Sequence, residues 1–115
     1  MHITRLNEAR PYEAPRHHGM STLRLQGAEA SAAQEFTVGM SVTLPGGGAE
    51  HSASPRDRVY VVIEGQLTVV TDEGETVLSK LDSVWIAPGE ARSIANRTNQ
   101  PVVFLVVMSQ NDPNA

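Results

Sequence analysis

The apolar residues of this chain fall in short runs whose members alternate with polar residues instead of recurring at helical spacing. Residues 36–44 are the clearest case. Val38, Met40, Val42 and Leu44 share one parity, and Thr37, Gly39, Ser41 and Thr43 share the other. Side chains two apart lie on one face of a strand, so this stretch predicts a strand with one apolar face and assigns Met40 to the core. Further strands are expected over 21–25, 58–64, 66–71, 75–79, 83–87 and 102–108, with 28–33 as a loop or a single helical turn. Turn residues punctuate them. Glu64-Gly65 reads as the turn of a hairpin, and Asp72-Glu73-Gly74, Pro88-Gly89 and the polar stretch Asn96 to Pro101 as three more. Gly46-Gly47-Gly48 reads as another turn, because the lysine and following helix of a phosphate loop are missing.

Many short strands with regular turns predict an all-β sandwich or barrel. The last strand is apolar on both faces, Val103, Leu105 and Val107 on one and Val102, Phe104 and Val106 on the other. In so small a chain this implies a covering layer, which a homodimer would supply. The expected organisation is an N-terminal extended arm at 1–20, containing Pro11 and Pro15, a barrel at 21–110 and a tail at 111–115.

Composition narrows the chemistry. At 115 residues the chain has the size of one domain. It has no cysteine, which excludes disulfides, thiolate metal sites and thiol nucleophiles. Nine basic against 13 acidic residues give a net charge of −4, and with no basic run this argues against nucleic acid as a partner. The N-terminus lacks the apolar core of a signal peptide and no apolar run has the length of a membrane span, so a cytoplasmic protein with no membrane partner is expected. All the cations but Lys80 are arginine, a residue that stays charged when buried and grips anions bidentately.

Two stretches carry a family resemblance. Pro45 to Gly65, PGGGAEHSASPRDRVYVVIEG, and Leu81 to Asn96, LDSVWIAPGEARSIAN, resemble the two motifs of the cupins, small double-stranded β-helix barrels of jelly-roll type. The first motif reads Gly, five residues, His-x-His, three or four residues, Glu, six residues, Gly. The second reads Gly, five residues, Pro-x-Gly, two residues, His, three residues, Asn. In that family three histidines and the glutamate surround a metal. Here His51 keeps the first ligand position, Ala53 takes the second, Arg58 replaces the glutamate and Arg92 replaces the last histidine. A guanidinium has donors only and cannot ligate a cation, so the resemblance implies a barrel without the usual metal and without a cofactor. A rebuilt metal site would need His17 or His18 beside His51, with Asp57 as an added carboxylate. As strand neighbours, His17 and His18 point to opposite faces, so one of them at most could join.

The same alignment puts Arg58 and Arg92 in the barrel mouth, although alternation alone would turn Arg58 outward beside Tyr60, Val62 and Glu64. Buried cations need negative partners. Either an anionic or oxygen-rich small molecule is held there, or Asp57, Glu50 or Glu64 pairs with them internally. On the ligand reading Arg58, Arg92 and Tyr60 bind the substrate, and His51 serves as the catalytic acid or base. Trp85 is assigned to core packing or a subunit contact, and Asn96 to local bonding within its turn. His51 and Ser52 are strand neighbours on opposite faces, so no serine–histidine–acid triad arises. The expected function is a metal-independent small-molecule-binding cupin; if it is an enzyme, an isomerase, cyclase or lyase. The alternatives are a metal-dependent dioxygenase or decarboxylase with a rebuilt histidine site, and a non-catalytic sensor or binding module.

Overall fold

The computed structural model describes residues 1–110; the tail expected at 111–115 lies outside the described residues. The strands, in chain order, are β1 Arg10–Pro11, β2 His17–Gln26, β3 Phe36–Ser52, β4 Arg58–Glu64, β5 Leu67–Thr71, β6 Gly74–Leu78, β7 Ser83–Ile86, β8 Arg92–Ala95 and β9 Val102–Ser109. One short 3-10 turn, Leu6–Glu8, precedes them, and the described residues contain no α-helix. Every pairing is antiparallel, in the order β6-β5-β8-β3-β9-β4-β7, with β2 on β3 and β1 on β2.

The 17-residue β3 organises the barrel. Its first half, Phe36 to Thr43, pairs with β9, and its second half, from Gly48 to Ser52, pairs with β8. One strand therefore belongs to both walls, and its bend closes the sheet to a nearly complete all-β jelly-roll barrel. Asn96, 1% exposed, fastens that bend. Its Nδ2 donates to the carbonyls of Thr43 at 2.9 Å and Gln100 at 2.7 Å, while its backbone exchanges bonds with Gly46 and Gly47 at 2.9 Å. The role expected for Asn96 within its own turn thus extends across the barrel.

Three local expectations are corrected. Gly46-Gly47-Gly48 lies within β3, with Gly47 and Gly48 buried where that strand runs between β2 and β8, so it is not a separate turn. Glu64-Gly65 does not form a hairpin: β4 pairs with β7 and β9, whereas β5 pairs with β6 and β8. Gly65, at φ +86°, turns the chain across from one wall to the other; a Cβ there would lie 2.8 Å from the carbonyl of Pro101. Met40 is half-buried and lies outside the core cluster, because the faces of β3 are inverted relative to a simple amphipathic strand.

That inversion decides where the site is. In the first half of β3 the buried side chains are Thr37, Ser41 and Thr43, and Val38, Met40 and Val42 face outward, only half covered. On β4, Arg58, Tyr60 and Val62 are buried while Val59, Val61 and Ile63 are half-buried. The apolar core fills one end of the barrel: Val62, Leu67, Val69, Leu78, Ile86, Val102 and Phe104 are buried there, with Ile94 and Tyr60. The polar inner positions Thr37, Ser41 and Arg92 lie toward the other end, where they need partners or a cavity, while Thr43 stays opposite Val102.

Candidate functional site

Strand alternation brings side chains from five strands to the polar end. A cavity of about 260 Å³ opens there. Thr22 from β2, Thr37 and Ser41 from β3, Tyr60 from β4 and Arg92 from β8 supply its polar wall. Met20, Ile94, Phe104, Val106 and Met108 supply an apolar one. The N-terminal arm roofs the cavity with Tyr12, Glu13, Ala14 and Pro15. The arm is docked along β2: the Tyr12 N–H donates to the carbonyl of Thr22 at 3.1 Å, and the Thr22 hydroxyl donates back to the carbonyl of Tyr12. The Arg24 guanidinium stacks 3.8 Å over the Tyr12 ring. Gly39 leaves the space for that ring, since a Cβ there would stand 2.6 Å from the Tyr12 hydroxyl. Burial raises the Tyr12 phenol above its ordinary value.

Arg92 and Tyr60 come together at the cavity floor. Arg92 is 7% exposed and Tyr60 2%. The Arg92 Nε donates to the Tyr60 hydroxyl at 2.7 Å, and its Nη1 donates to the carbonyl of Glu50 at 3.3 Å and the Ser52 hydroxyl at 3.4 Å. The guanidinium carbon lies 5.9 Å from the Tyr60 ring centroid, off its oxygen end, so the contact is a hydrogen bond more than a cation–π stack. Tyr60 is braced from the side by Phe104, edge to face at 5.5 Å.

Arg58 is inward, as the resemblance implied and simple alternation did not. It is 2% exposed and stands behind the cavity wall, outside the lining. Its Nη2 donates to the carbonyl of Glu90 at 3.2 Å, and its Nε is buried with no partner among the described residues. Burial lowers its pKa first; Tyr60 and Glu90 pull it back up, and Arg92 pushes it further down. Neither arginine pairs with the carboxylates weighed for the role. Asp57 accepts the Trp85 indole N–H at 2.7 Å, Glu50 offers Arg92 only its backbone carbonyl, and Glu64 is exposed.

The histidines are placed differently from the sequence-based reading. His51 has a half-exposed side chain, sits 3.9 Å from Asp72, and does not line the cavity. His17 does line it, from the first residue of β2, a strand that begins four residues earlier than the alternation predicts. Burial holds its imidazole below the ordinary value, with Arg92 and then His18 adding to the effect. Polar neighbours on both sides hid this strand start, so periodicity missed His17. The Arg10–Pro11 pairing onto β2, which brings the arm over the site, has no sequence signal either. Trp85 is 61% exposed and therefore outside the core.

The model of the Cupin domain family, Cupin_2, matches residues 39–108. The chain is a cupin. Among curated proteins, the Beta-D-galactosidase Rv1717 of Mycobacterium tuberculosis is 50% identical over 109 residues, covering 95% of this chain and 94% of that protein. Among solved structures, the polyketide cyclase RemF from Streptomyces resistomycificus superposes with a TM-score of 0.86 at 19% identity, over 98% of this cupin and 82% of that chain. A sugar phosphate isomerase of the cupin superfamily from Silicibacter pomeroyi has a TM-score of 0.71 at 31% identity, over 81% of this cupin and 60% of that chain.

Cupins hold a metal on the motif positions described above, and the residues at those positions here do not fit one. His51 points away from the cavity, Ala53 has no donor atom, and Arg58 and Arg92 present N–H groups and positive charge where lone pairs are needed. Among the described residues no group of three or more histidine and acidic side chains converges on a common point, and His17 and His51 do not form one with Asp57. No described helix is long and apolar enough to cross a membrane.

Proposed function

We propose that this cupin is a metal-independent enzyme that takes a β-galactoside into the barrel cavity and hydrolyses it. The observation that carries the reading is the 50% identity, over nearly the whole of both chains, with a protein described as a β-D-galactosidase. The cavity is chemically consistent with a sugar. At about 260 Å³ it lies just under the range of about 300–1,000 Å³ for drug-sized ligands, which suits one pyranose ring. Sugar hydroxyls need donors and acceptors close together, and Thr22, Thr37, Ser41, Tyr60 and Arg92 offer both. The C–H face of a pyranose is apolar, and Phe104, Ile94 and Val106 match it. His17, kept neutral at neutral pH by burial and by Arg92, is suited to take a proton from the attacking water. In this reading His17, and not His51, is the imidazole of the site.

A second reading rests on Arg58 and Arg92, two buried cations with no ion-pair partner in Asp57, Glu50 or Glu64. They favour an acidic ligand such as a uronate, bound through the Arg92 fork.

One experiment separates the two readings. Purified protein is incubated with 4-nitrophenyl β-D-galactoside and β-D-galacturonide, with and without a chelator. Nitrophenol release from the galactoside that survives chelation and is lost in Arg92→Ala supports the first reading. Release from the galacturonide alone supports the second. Turnover abolished by chelator and restored by a divalent metal overturns metal independence, and turnover of neither glycoside overturns the hydrolase.

A further inference from the structure

Glycoside hydrolysis needs a proton for the departing oxygen, and most glycosidases supply it from one of two facing carboxylic acids. This cavity does not hold such a pair. Among the described residues that line it, Glu13 alone carries a carboxylate, and it sits exposed on the arm at the rim. The floor is different. The Tyr60 hydroxyl accepts a hydrogen bond from the Arg92 Nε at 2.7 Å, and Arg58 lies close enough to feel both Tyr60 and Arg92. Guanidinium groups are donors only, so the hydroxyl's own hydrogen has to point away from both. Among the described residues it has no acceptor, and Tyr60 lines the cavity. A buried phenol hydroxyl that lines the cavity and already accepts from Arg92 keeps its own O–H for a group held there.

Building on the galactoside hydrolase reading, we propose that Tyr60 is the catalytic proton donor to the leaving group, with Arg92 and Arg58 as positioning residues that hold the phenolate left behind. The Tyr60 O–H bond breaks and its proton passes to the glycosidic oxygen. The bond between that oxygen and the anomeric carbon breaks at the same time, and its electron pair leaves with the oxygen as an alcohol. Water then adds to the anomeric carbon and yields its proton to solvent by way of His17, while the phenolate takes a proton back from solvent. The balance is one water consumed, one galactose and one alcohol formed. The cationic groups at the family's metal positions thus stabilise a developing negative charge, a task electrostatic groups perform well in a buried site.

The test uses two substrates of unequal leaving-group demand, 2,4-dinitrophenyl β-D-galactoside and phenyl β-D-galactoside. A dinitrophenolate departs without protonation, whereas a phenolate gains from it. Tyr60→Phe keeps the ring packed on Phe104. It is expected to lower kcat/KM on the phenyl galactoside by about 10²–10³-fold, within the span of general acid catalysis, and on the dinitrophenyl galactoside by less than about tenfold. Arg92→Gln, melting as wild type does, is expected to show the same split more weakly. Equal losses on both substrates, or the split appearing in Glu13→Gln instead, overturns the assignment of Tyr60 and leaves the hydrolase standing. Wild-type protein inert toward both galactosides overturns the hydrolase, and the proton donor with it. If Tyr60→Phe does not fold, the Arg92→Gln split decides, and its absence counts against the proposal.

Discussion

The two faces of β3 in its first half are built on opposite plans. The inner face of β3 is polar, with Thr37, Ser41 and Thr43 buried, and its outer face carries Val38, Met40 and Val42. On β4, Arg58 and Tyr60 go in beside the apolar Val62, and Val59, Val61 and Ile63 go out, while the buried Val102 and Phe104 keep the inner face of β9 apolar. Cross-strand register makes the outer side chains continuous: Met40 lies opposite Leu105, and Leu105 opposite Val61, while Val38, Val107, Val59 and Trp85 form the next row. A soluble fold normally does the reverse. The polar inner side chains Thr37 and Ser41 line the cavity, and the apolar outer ones are left half covered.

Truncating neighbours that point in opposite directions separates the two faces most strongly. Phe104 is fully buried and braces Tyr60, whereas Leu105, next along β9, faces out and is half-buried. Phe104→Ala is expected to lower unfolding free energy by about 3–5 kcal/mol, as large core truncations do, read by urea denaturation. Leu105→Ala in a monomer should lose a fraction of that. Equal losses would mean that both faces are core, which requires the outer one to be covered in solution.

We propose that a second copy of the chain is that cover. An apolar face can pack against its own twofold mate without any charge matching, and the face is wide enough to run across β2, β3, β9, β4 and β7. Leu105→Lys, at the centre of the patch, is expected to convert a dimer to a monomer in sedimentation equilibrium while glycoside turnover per chain persists. Wild-type protein sedimenting as a monomer at micromolar concentration would remove the dimer.

A smaller effect separates the site's frame from its content. Asn96→Ala removes the side-chain donor to the buried carbonyl of Thr43 and leaves Gln100 with the Thr98 hydroxyl alone, and should cost about 1–3 kcal/mol, the usual penalty for a buried unsatisfied group. Because Asn96 sets the β3 bend and does not line the cavity, folded variant should keep its KM. A raised KM with unchanged stability would put Asn96 in the binding site instead.

How legible all this was in the sequence differs by residue, for physical reasons. The barrel was readable because turns and alternation are local, and the motif spacing aligned Arg58 and Arg92 with the family's metal positions. The direction in which each strand faces was not. Alternation reports that a strand has two unlike faces, but which one turns inward depends on what fills the interior, and at β3 that is a cavity. Arg58 shows the same ambiguity settled by the motif alone. His17 was hidden because its strand start has polar neighbours, and its approach to the site depends on β2 pairing with the distant half of β3, at Ala49. The docking of Tyr12 to Pro15 over the cavity depends on Gly39 lacking a side chain 27 positions away, which no local pattern encodes.

The smallest expected effect concerns that same histidine and tests whether the cavity environment acts on it. His17 lines the cavity with Arg92, whose charge acts on it, has His18 beside it and shares the lining with Glu13 of the arm. Burial, then Arg92, then His18 lower its pKa from 6.5, so the fold prefers the neutral imidazole. A group whose folded pKa is depressed contributes stability above its unfolded pKa and loses it as pH falls through the folded value. Wild-type protein should therefore lose more melting temperature between about pH 7.5 and about pH 5 than His17→Gln does, since the variant has no imidazole to protonate there. Parallel acid losses in wild type and His17→Gln would mean that the cavity does not hold this imidazole neutral, and would remove His17 as the base that accepts the proton of the attacking water.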